Sequence, residues 1–244
     1  MRLIRVYVDS ALAPGARVTL GGAAAAHVQR VLRLEAGDDL TLFNGDGSDY
    51  PATIAALGRG TVEAAVSGRA DARAESPLAV TLVQGIARAE RMDLVVQKAT
   101  ELGVAAIRPV ATARSVVKLD SGTRERKRAH WAGIAIAACE QCGRARLPSI
   151  AGPRPLPEAL AERPAAGARL LLAPDAPLSL AAAARGETAL EILVGPEGGL
   201  EDAERRAALD AGFRACRLGP RVLRSETAAI AALAVLQSVA GDLG

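Results

Sequence analysis

The stretch "EILVGPEGGLEDAE", residues 191–204, decides how the second part of the chain is organised. An apolar run, 192–194, ends at a Gly-Pro pair, and Glu197 stands before two further glycines. The acidic residues that follow are typical of a helix start. The pattern therefore predicts a buried strand, a tight turn and a helix.

The carboxylate of Glu197 indicates which ligand such a turn could hold. Phosphate sites at glycine-rich turns use bare backbone N–H groups and often a lysine, and this turn has neither a lysine nor a hydroxyl. The dinucleotide-binding pattern G-x-G-x-x-G is absent from the sequence. A neutral or cationic ligand suits the turn better. The alternative is a plain connection whose glycines only supply positive φ angles.

From Leu78 onward, apolar strands alternate with helical patterns, as in "LAVTLVQG" (78–85) followed by "RMDLVVQKATELG" (91–103). This alternation predicts a parallel sheet with helices on both faces. Ligands of such sheets bind at the carboxyl ends of the strands. The turns "LAPDAP" (172–177), "VGPEGG" (194–199) and "LGPRVLRSET" (218–227) are therefore expected to converge on one pocket.

The first 70 residues have a different pattern, of short strands separated by turn residues. One helix is predicted at 23–34, and "NGDGSD" (44–49) is typical of a hairpin turn. A small β-barrel with one helix is the expected assembly. The polar segment 67–77 is interpreted as a linker, so we predict domains at 1–72 and 73–244.

The charge distribution indicates a polyanionic partner. Net charge is only +3, but residues 108–146 hold nine basic side chains against three acidic ones. Such a tract favours nucleic acid, although a solvated surface is the alternative. Aromatic residues are scarce, so base stacking is not expected and arginines would have to contact RNA.

Cysteine and histidine patterns predict no metal site and no disulfide. Cys139 and Cys142 form a C-x-x-C near the end of a helical pattern, where a structural role is favoured over zinc or redox chemistry. The chain shows neither a signal peptide pattern nor an apolar run of about 20 residues, the length that a membrane helix needs. We therefore expect no membrane association and a cytoplasmic protein.

The three turns are rich in Gly and Pro, and the first two carry little positive charge. They suit an adenosine-type ligand without phosphates. S-adenosylmethionine is the common metabolite of that description.

Four blocks of the sequence carry a family resemblance: "QKATELGV" (97–104), "EQCGR" (140–144), "LVGPEGGLEDAE" (193–204) and "LGPRVLRSETAAIAAL" (218–233). With these blocks the chain resembles the bacterial 16S ribosomal RNA uridine N3-methyltransferases of the SPOUT class. The resemblance covers almost the whole chain, including "HVQRVLRLEAGD" and "LFNGDG". It implies an α/β fold with a PUA-like β-barrel and a knotted parallel-sheet (SPOUT, trefoil-knot) domain. It also implies S-adenosylmethionine as cofactor, a homodimer, and the small ribosomal subunit as partner.

The resemblance also implies roles for individual residues. One stretch departs from the family pattern, because "GIARAERMD" (85–93) lacks the lysine that often precedes the first helix, although Arg88 and Arg91 keep the positive charge. The implied cofactor-binding residues are Leu172, Ala173, Pro174, Gly195, Pro196, Glu197, Gly198, Leu218, Gly219 and Leu223. The implied RNA-binding residues are Arg88, Arg91, Arg114, Arg144 and Arg221.

Methylation of a ring nitrogen that is protonated at neutral pH requires removal of the proton and stabilisation of the resulting negative charge. Arg224 is the predicted stabiliser and Glu226 the candidate base. The alternative for "RSETA" is a helix start with Ser225 as N-cap and Glu226 favoured by the helix dipole. Arg221 and Arg224 could likewise be plain salt-bridge partners.

Two other functions stay open from the sequence. One is a non-enzymatic RNA-binding or ribosome-assembly factor, which the intact glycine turns argue against. The other is a SPOUT-class methyltransferase that acts on a ribose hydroxyl or on transfer RNA.

The final helical pattern, 227–241, is apolar on every side, which predicts burial all round. A second copy of the same helix would cover the outer face, and coverage by the N-terminal domain is the alternative.

Overall fold

The structure, a computed structural model, describes residues 4–72, 75–115, 120–162 and 167–244. The chain forms two compact units, one of Met1–Ala74 with Ile136–Leu147 and one of Glu75–Ala135 with Pro148–Gly244. The predicted boundary between residues 72 and 73 adjoins residues 73–74, which lie outside the described ranges, and the predicted division stays a prediction. The inclusion of Ile136–Leu147 in the first unit was not foreseen from the sequence.

The first unit is built on a mixed sheet in the order β1-β3-β4-β5-β2, with β6 paired to β4. The pair β1–β3 is parallel and the others are antiparallel. Helix α1 continues as a π-helix, His27–Leu32, which ends at Arg33 with φ 53°. The elements of the sheet and its helix are β1 (Arg5–Tyr7), β2 (Arg17–Leu20), α1 (Gly22–Ala26), β3 (Asp39–Phe43), β4 (Ser48–Gly58), β5 (Thr61–Val66) and β6 (Ala70–Asp71).

Hydrogen bonds between side chains and backbone connect Ile136–Leu147 to β1 within the first unit. The Tyr7 N–H donates to Glu140 Oε1 at 3.0 Å, and Arg5 Nη2 donates to the carbonyl of Arg144 at 3.0 Å. Cys139 is fully buried in the same cluster. This part of the chain therefore binds β1 directly through Glu140 and Arg144.

The second unit contains a sheet in the order β10-β8-β7-β12-β11-β13, with β9 paired to β8, and its ladders are parallel. Its strands are β7 (Ala79–Gly85), β8 (Ala106–Ala111), β9 (Ser149–Ile150), β10 (Arg154–Pro155), β11 (Ala168–Leu172), β12 (Ala189–Val194) and β13 (Arg214–Cys216). Its helices are α2 (Ala89–Glu101), α3 (Ser121–Cys142, shared with the first unit), α4 (Leu156–Ala161), α5 (Leu180–Ala183), α6 (Asp202–Asp210) and α7 (Ser225–Ala240). The parallel sheet predicted from the alternating pattern is thus present.

Both faces of the parallel sheet are covered, which explains the continuous apolar run in β12. Ile192 and Val194 pack into the core that includes Val95 of α2 and Leu233 of α7. Leu193 points to the opposite core, beneath α4 and α6. None of the helices in the described part of the chain is long and apolar enough to cross a membrane.

One charged residue lies inside this apolar strand, Glu191, which is 1% exposed. Its carboxylate accepts hydrogen bonds from Arg169 Nε at 2.7 Å and from Arg108 Nη1 at 2.9 Å. Arg169 also donates to the carbonyl of Ala211 and lies over the ring of Phe213. The buried carboxylate is therefore paired on both sides, as a charge in an apolar interior must be.

We expect Glu191→Ala to lower the free energy of unfolding by about 3–5 kcal/mol, because it leaves the buried Arg169 without its counter-charge. Urea unfolding of the full chain measures the loss. The matched control is Glu125→Ala, which removes an exposed ion pair with Arg128 and should change stability little. Equal effects of the two substitutions would contradict the structural role of Glu191.

Candidate active site

The turns that follow β11, β12 and β13 meet at the carboxyl edge of the parallel sheet and surround one cavity of about 360 Å³. This convergence is the one that the sequence predicts. The predicted cofactor-binding residues all line the cavity: Leu172, Ala173, Pro174, Gly195, Pro196, Glu197, Gly198, Leu218, Gly219 and Leu223. Their role in binding a cofactor stays a prediction.

Close backbone contacts fix the second turn, 195–199. A Cβ on Gly85, at the end of β7, would lie 2.5 Å from the Pro196 nitrogen, so only glycine fits there. Gly199 has φ 71°, and its N–H donates to the carbonyl of Pro196 at 2.9 Å. The second turn is therefore held by its own backbone and by the end of the neighbouring strand.

Ser225 links the second turn to helix α7. Its Oγ donates to the carbonyl of Gly195 at 2.6 Å and accepts a hydrogen bond from Gln84 Nε2 at 3.0 Å. Ser225 also lines the cavity, and Gln84 is fully buried beneath it. The sequence-based alternative that makes Ser225 the N-cap is wrong, because the N-cap of α7 is Arg224 and no side chain caps the helix.

Glu197 lines the cavity, but its carboxylate already has partners within the chain. Oε1 accepts the backbone N–H of Arg88 at 3.0 Å and Nη1 of Arg91 at 3.2 Å. Burial by itself raises the pKa of the Glu197 carboxyl, but these hydrogen bonds and the charge of Arg91 outweigh it and hold the pKa below its usual range. The residue is therefore a carboxylate at neutral pH.

Glu226, the candidate base, lies in the first turn of α7 and is 8% exposed. Its Oε1 is 3.8 Å from Arg91 Nε, and its buried Oε2 has no hydrogen-bond partner among the described residues. Glu226 is not among the residues that line the cavity. The carboxylate is thus placed beside the second turn, on the side of Arg91.

The predicted RNA-binding arginines fall into different environments. Arg114 Nη1 donates to the carbonyl of Gly198 at 2.6 Å, so this side chain supports the second turn. Arg144 belongs to the first unit, where its carbonyl accepts from Arg5. Lys118 of the predicted basic tract lies outside the described residues.

Arg221 and Arg224 are exposed, and neither guanidinium has a hydrogen-bond or ion-pair partner in the part of the chain that the structure describes. Arg221 lines the cavity, whereas Arg224 lies just beyond it at the start of α7. The Arg88 side chain is likewise exposed and without a described partner. The alternative that Arg221 and Arg224 are plain salt-bridge partners therefore finds no support among the described contacts.

Sequence reasoning missed a second cation at the cavity. Arg205 of α6 lines it and donates to both oxygens of Asp175 in the first turn, at 3.0 and 3.1 Å. The hydrogen bond between Gln84 and Ser225 was also not predicted from the sequence. No sequence signal marks these contacts, because each joins residues that are at least 30 positions apart.

No cysteine lines the cavity, and the described residues offer no group of side chains that could bind a metal ion there. Cys139 is buried in the first unit and Cys142 is half-buried, both without a disulfide. Burial raises the pKa of Cys216 to about 11, which makes its thiol unreactive. The described residues contain no cluster of His, Cys, Asp or Glu that could hold a metal ion.

Comparison with known families matches both parts of the chain. Residues 74–237 match the RNA methyltransferase domain family, and residues 20–67 match the RNA methyltransferase PUA domain. The first match covers most of the sequence and includes every element that surrounds the cavity.

Solved structures and sequence relatives are similar over nearly the full chain. A Legionella pneumophila protein in complex with S-adenosylmethionine has a TM-score of 0.93, 40% identity and full coverage of both chains. A ribosomal RNA small subunit methyltransferase E from Neisseria gonorrhoeae, also bound to S-adenosylmethionine, has a TM-score of 0.92 and 36% identity, covering 99% of this chain and 100% of that one. The relative with the same name from Mycobacterium bovis is 35% identical, over 93% of this chain and 88% of its own length.

These neighbours confirm the predicted fold class, an α/β SPOUT-type methyltransferase unit with an N-terminal PUA unit. By the extent of these matches, the chain belongs to the RNA methyltransferase family that includes the ribosomal RNA small subunit methyltransferases E.

Proposed function

We propose that the protein uses S-adenosylmethionine to methylate N3 of a specific uridine in 16S ribosomal RNA. Family membership supports RNA methylation, and the names of the relatives support the small subunit as the source of the RNA. The observation that carries the proposal is the cavity formed by the three turns, because its size, its apolar walls and the Glu197 carboxylate suit this cofactor. The N3 position rests on the sequence resemblance.

The cavity residues fit an adenosine-type ligand with a positive charge. The cavity volume of about 360 Å³ falls within the range of about 300 to 1,000 Å³ that small-molecule sites occupy. Leu172, Leu218 and Leu223 supply apolar walls, the glycine turns expose backbone groups, and Glu197 supplies a carboxylate. No lysine is among the described lining residues. Arg205 and Arg221 also line the cavity, and Arg205 is already paired with Asp175. When bound, S-adenosylmethionine supplies an electrophilic methyl group.

Two side chains are proposed to handle the proton and the charge of the uracil ring. Glu226 would accept the N3 proton and leave an electron pair on the nitrogen. The bound cofactor would supply the methyl group, whose bond to the sulfonium sulfur breaks as the bond to nitrogen forms, so that the thioether S-adenosylhomocysteine leaves. Arg224 stabilises the negative charge that spreads onto the uracil oxygens. The exposed, unpaired guanidinium of Arg224 has capacity for a substrate contact. Glu226 Oε2 lacks a hydrogen-bond partner among the described residues but is buried, so the role of base requires that this oxygen become accessible when the substrate binds.

RNA binding is proposed to use the exposed guanidiniums of Arg88 and Arg221, with further contacts from Arg144 in the first unit. Arg114 already donates to the carbonyl of Gly198, so a phosphate would have to share it. A ribosomal RNA substrate is also consistent with the cytoplasmic location that the sequence predicts. The division into domains 1–72 and 73–244, which rests on the polar segment 67–77, and the trefoil knot, which the resemblance implies, stay part of this proposal.

A homodimer through α7 is also proposed. In a single chain, Ala232, Leu233 and Leu236 of this helix are fully buried. The opposite face, with exposed Thr227 and Ser238 and half-buried Ala234, has small side chains that allow close approach of a second helix. A two-fold contact between copies of this face is the simplest cover.

Mass mapping of methylated nucleotides in 16S ribosomal RNA tests the function. RNA from cells that lack the gene should lose one methylated uridine, and the purified protein with S-adenosylmethionine should restore it at N3. A methyl group on a ribose hydroxyl or on transfer RNA would establish another specificity. Unchanged methylation would favour the non-enzymatic alternative.

Gly198→Val is expected to weaken S-adenosylmethionine binding at least about tenfold, the effect of losing one hydrogen bond to a charged group. A Cβ at this position lies 3.1 Å from the Arg114 side chain, so valine displaces the donor that holds the Gly198 carbonyl. Calorimetry on the full chain measures the dissociation constant. Gly152→Val is the control, since Gly152 faces open space. An unchanged affinity in Gly198→Val would remove the second turn from the cofactor site.

Ala234→Glu is expected to convert the proposed dimer to a monomer, because it places charges on both sides of the helix contact. Ala232 is unsuitable for this test, since it is fully buried within its own chain. Light scattering at micromolar concentration gives the mass, with Ala207→Glu on the exposed surface of α6 as the control. A monomeric wild-type protein with full methyl-transfer activity would refute the dimer.

A further inference from the structure

We infer that Arg91 is a positioning residue that holds two carboxylates of the active site, Glu197 and Glu226, and that it is not a phosphate contact. This inference rests on the proposed function, because it assigns to Glu197 and Glu226 the roles given above. It revises the role in RNA binding that the resemblance implies for Arg91.

The guanidinium of Arg91 lies between the two carboxylates and presents a different nitrogen to each. Nη1 is 3.2 Å from Glu197 Oε1, and Nε is 3.8 Å from Glu226 Oε1. Glu197 belongs to the second turn and Glu226 to the first turn of α7. One side chain of α2 therefore connects the wall of the cavity to the helix that follows the third turn.

The bond to Glu197 fixes the direction of that carboxylate. Arg91 and the backbone N–H of Arg88 both bind Oε1. This oxygen thus holds the turn against α2 and orients the carboxylate on the cavity wall. A carboxylate oriented in advance binds a cationic ligand without the cost of ordering it at that moment.

The ion pair with Glu226 compensates a buried charge. Glu226 is 8% exposed, and Arg91 is its ion-pair partner among the described residues. A carboxylate this buried is costly without a counter-charge. The separation of 3.8 Å is too long for a strong hydrogen bond, so Arg91 supplies charge while both oxygens of Glu226 keep capacity for a proton.

A guanidinium suits this position better than an ammonium group. Its planar fork presents donors in fixed directions, whereas a lysine is a point charge that cannot serve two separated carboxylates equally well. Arg88, three residues earlier, offers a contrast because only its backbone N–H takes part in the arrangement. The two arginines of "GIARAERMD" therefore differ in function although both are cationic.

The two carboxylates also decide how Arg91 behaves toward RNA. Each cation that neutralises a phosphate adds about 1 to the salt dependence of binding, because a counterion is released. The charge of Arg91 is already balanced by Glu197 and Glu226, so its removal should leave that salt dependence unchanged. Removal of the unpaired Arg221 should lower it by about 1.

The experiment compares full-length variants by calorimetry with S-adenosylmethionine and by salt-dependent binding of unmethylated 16S ribosomal RNA. Arg91→Met should raise the dissociation constant of the cofactor about tenfold, as expected for the loss of a charge-assisted hydrogen bond, and leave the salt slope unchanged. The same substitution in a Glu197→Gln background should have little further effect on cofactor affinity, because the two residues act as one unit. Arg88→Met is the matched control and should retain wild-type cofactor affinity.

Arg91→Lys should bind the cofactor with an affinity between those of the wild type and Arg91→Met, and it decides the question if Arg91→Met does not fold. A fall of the salt slope by about 1 at unchanged cofactor affinity would make Arg91 a phosphate contact and overturn the inference. An equal loss of cofactor affinity on Arg91→Met in the wild-type and in the Glu197→Gln background would also overturn it. A wild-type cofactor affinity of Arg91→Lys would overturn it as well. A wild-type protein that binds no S-adenosylmethionine would instead refute the proposed function.

Discussion

The parallel pairing of β12, β11 and β13 is the constraint on which the active site depends. In a parallel sheet every strand ends at the same edge, so the turns that follow three neighbouring strands must lie side by side. The turns are far apart in the sequence; all three contain proline, and the second and third also contain glycine. The strand pairing brings the three turns together around one cavity. Gly85 allows the end of β7 to pack directly against the second turn.

Pairs of charged and polar side chains then hold the turns in place. Arg205 with Asp175 joins the first turn to α6, Arg114 binds the carbonyl of Gly198, and Ser225 joins the second turn to α7. These contacts restrict the conformations that the three turns can adopt. A site of this kind loses less conformational entropy on binding than a flexible loop would.

The role of Glu197, the acidic residue of the second turn, depends on contacts that only the tertiary structure provides. A carboxylate in a glycine-rich turn suits a neutral or cationic ligand better than a phosphate, and the sequence alone supports that preference. The structure adds that α2 supplies a partner for the carboxylate. Glu197 is thus a fixed acceptor on the cavity wall, with a low pKa and a defined orientation. Glu191 obeys the same rule in the core, where two arginines balance one buried carboxylate.

The sequence by itself determined the parallel sheet and the three turns, because burial on both faces requires continuous apolar strands and each turn contains proline, joined by glycine in the second and third turns. The family resemblance supplied the cofactor candidates, and those residues belong to the turns. It could not assign the partners of Arg91, Arg114 and Glu226, or find Gln84 and Arg205, because these depend on side chains that meet only after the strands have paired. Nor did it show that Ile136–Leu147 completes the first unit, since Glu140 and Arg144 find their partners near the amino terminus only in three dimensions. Local pattern thus fixed the elements, and long-range pairing of charges decided what the individual charged residues do.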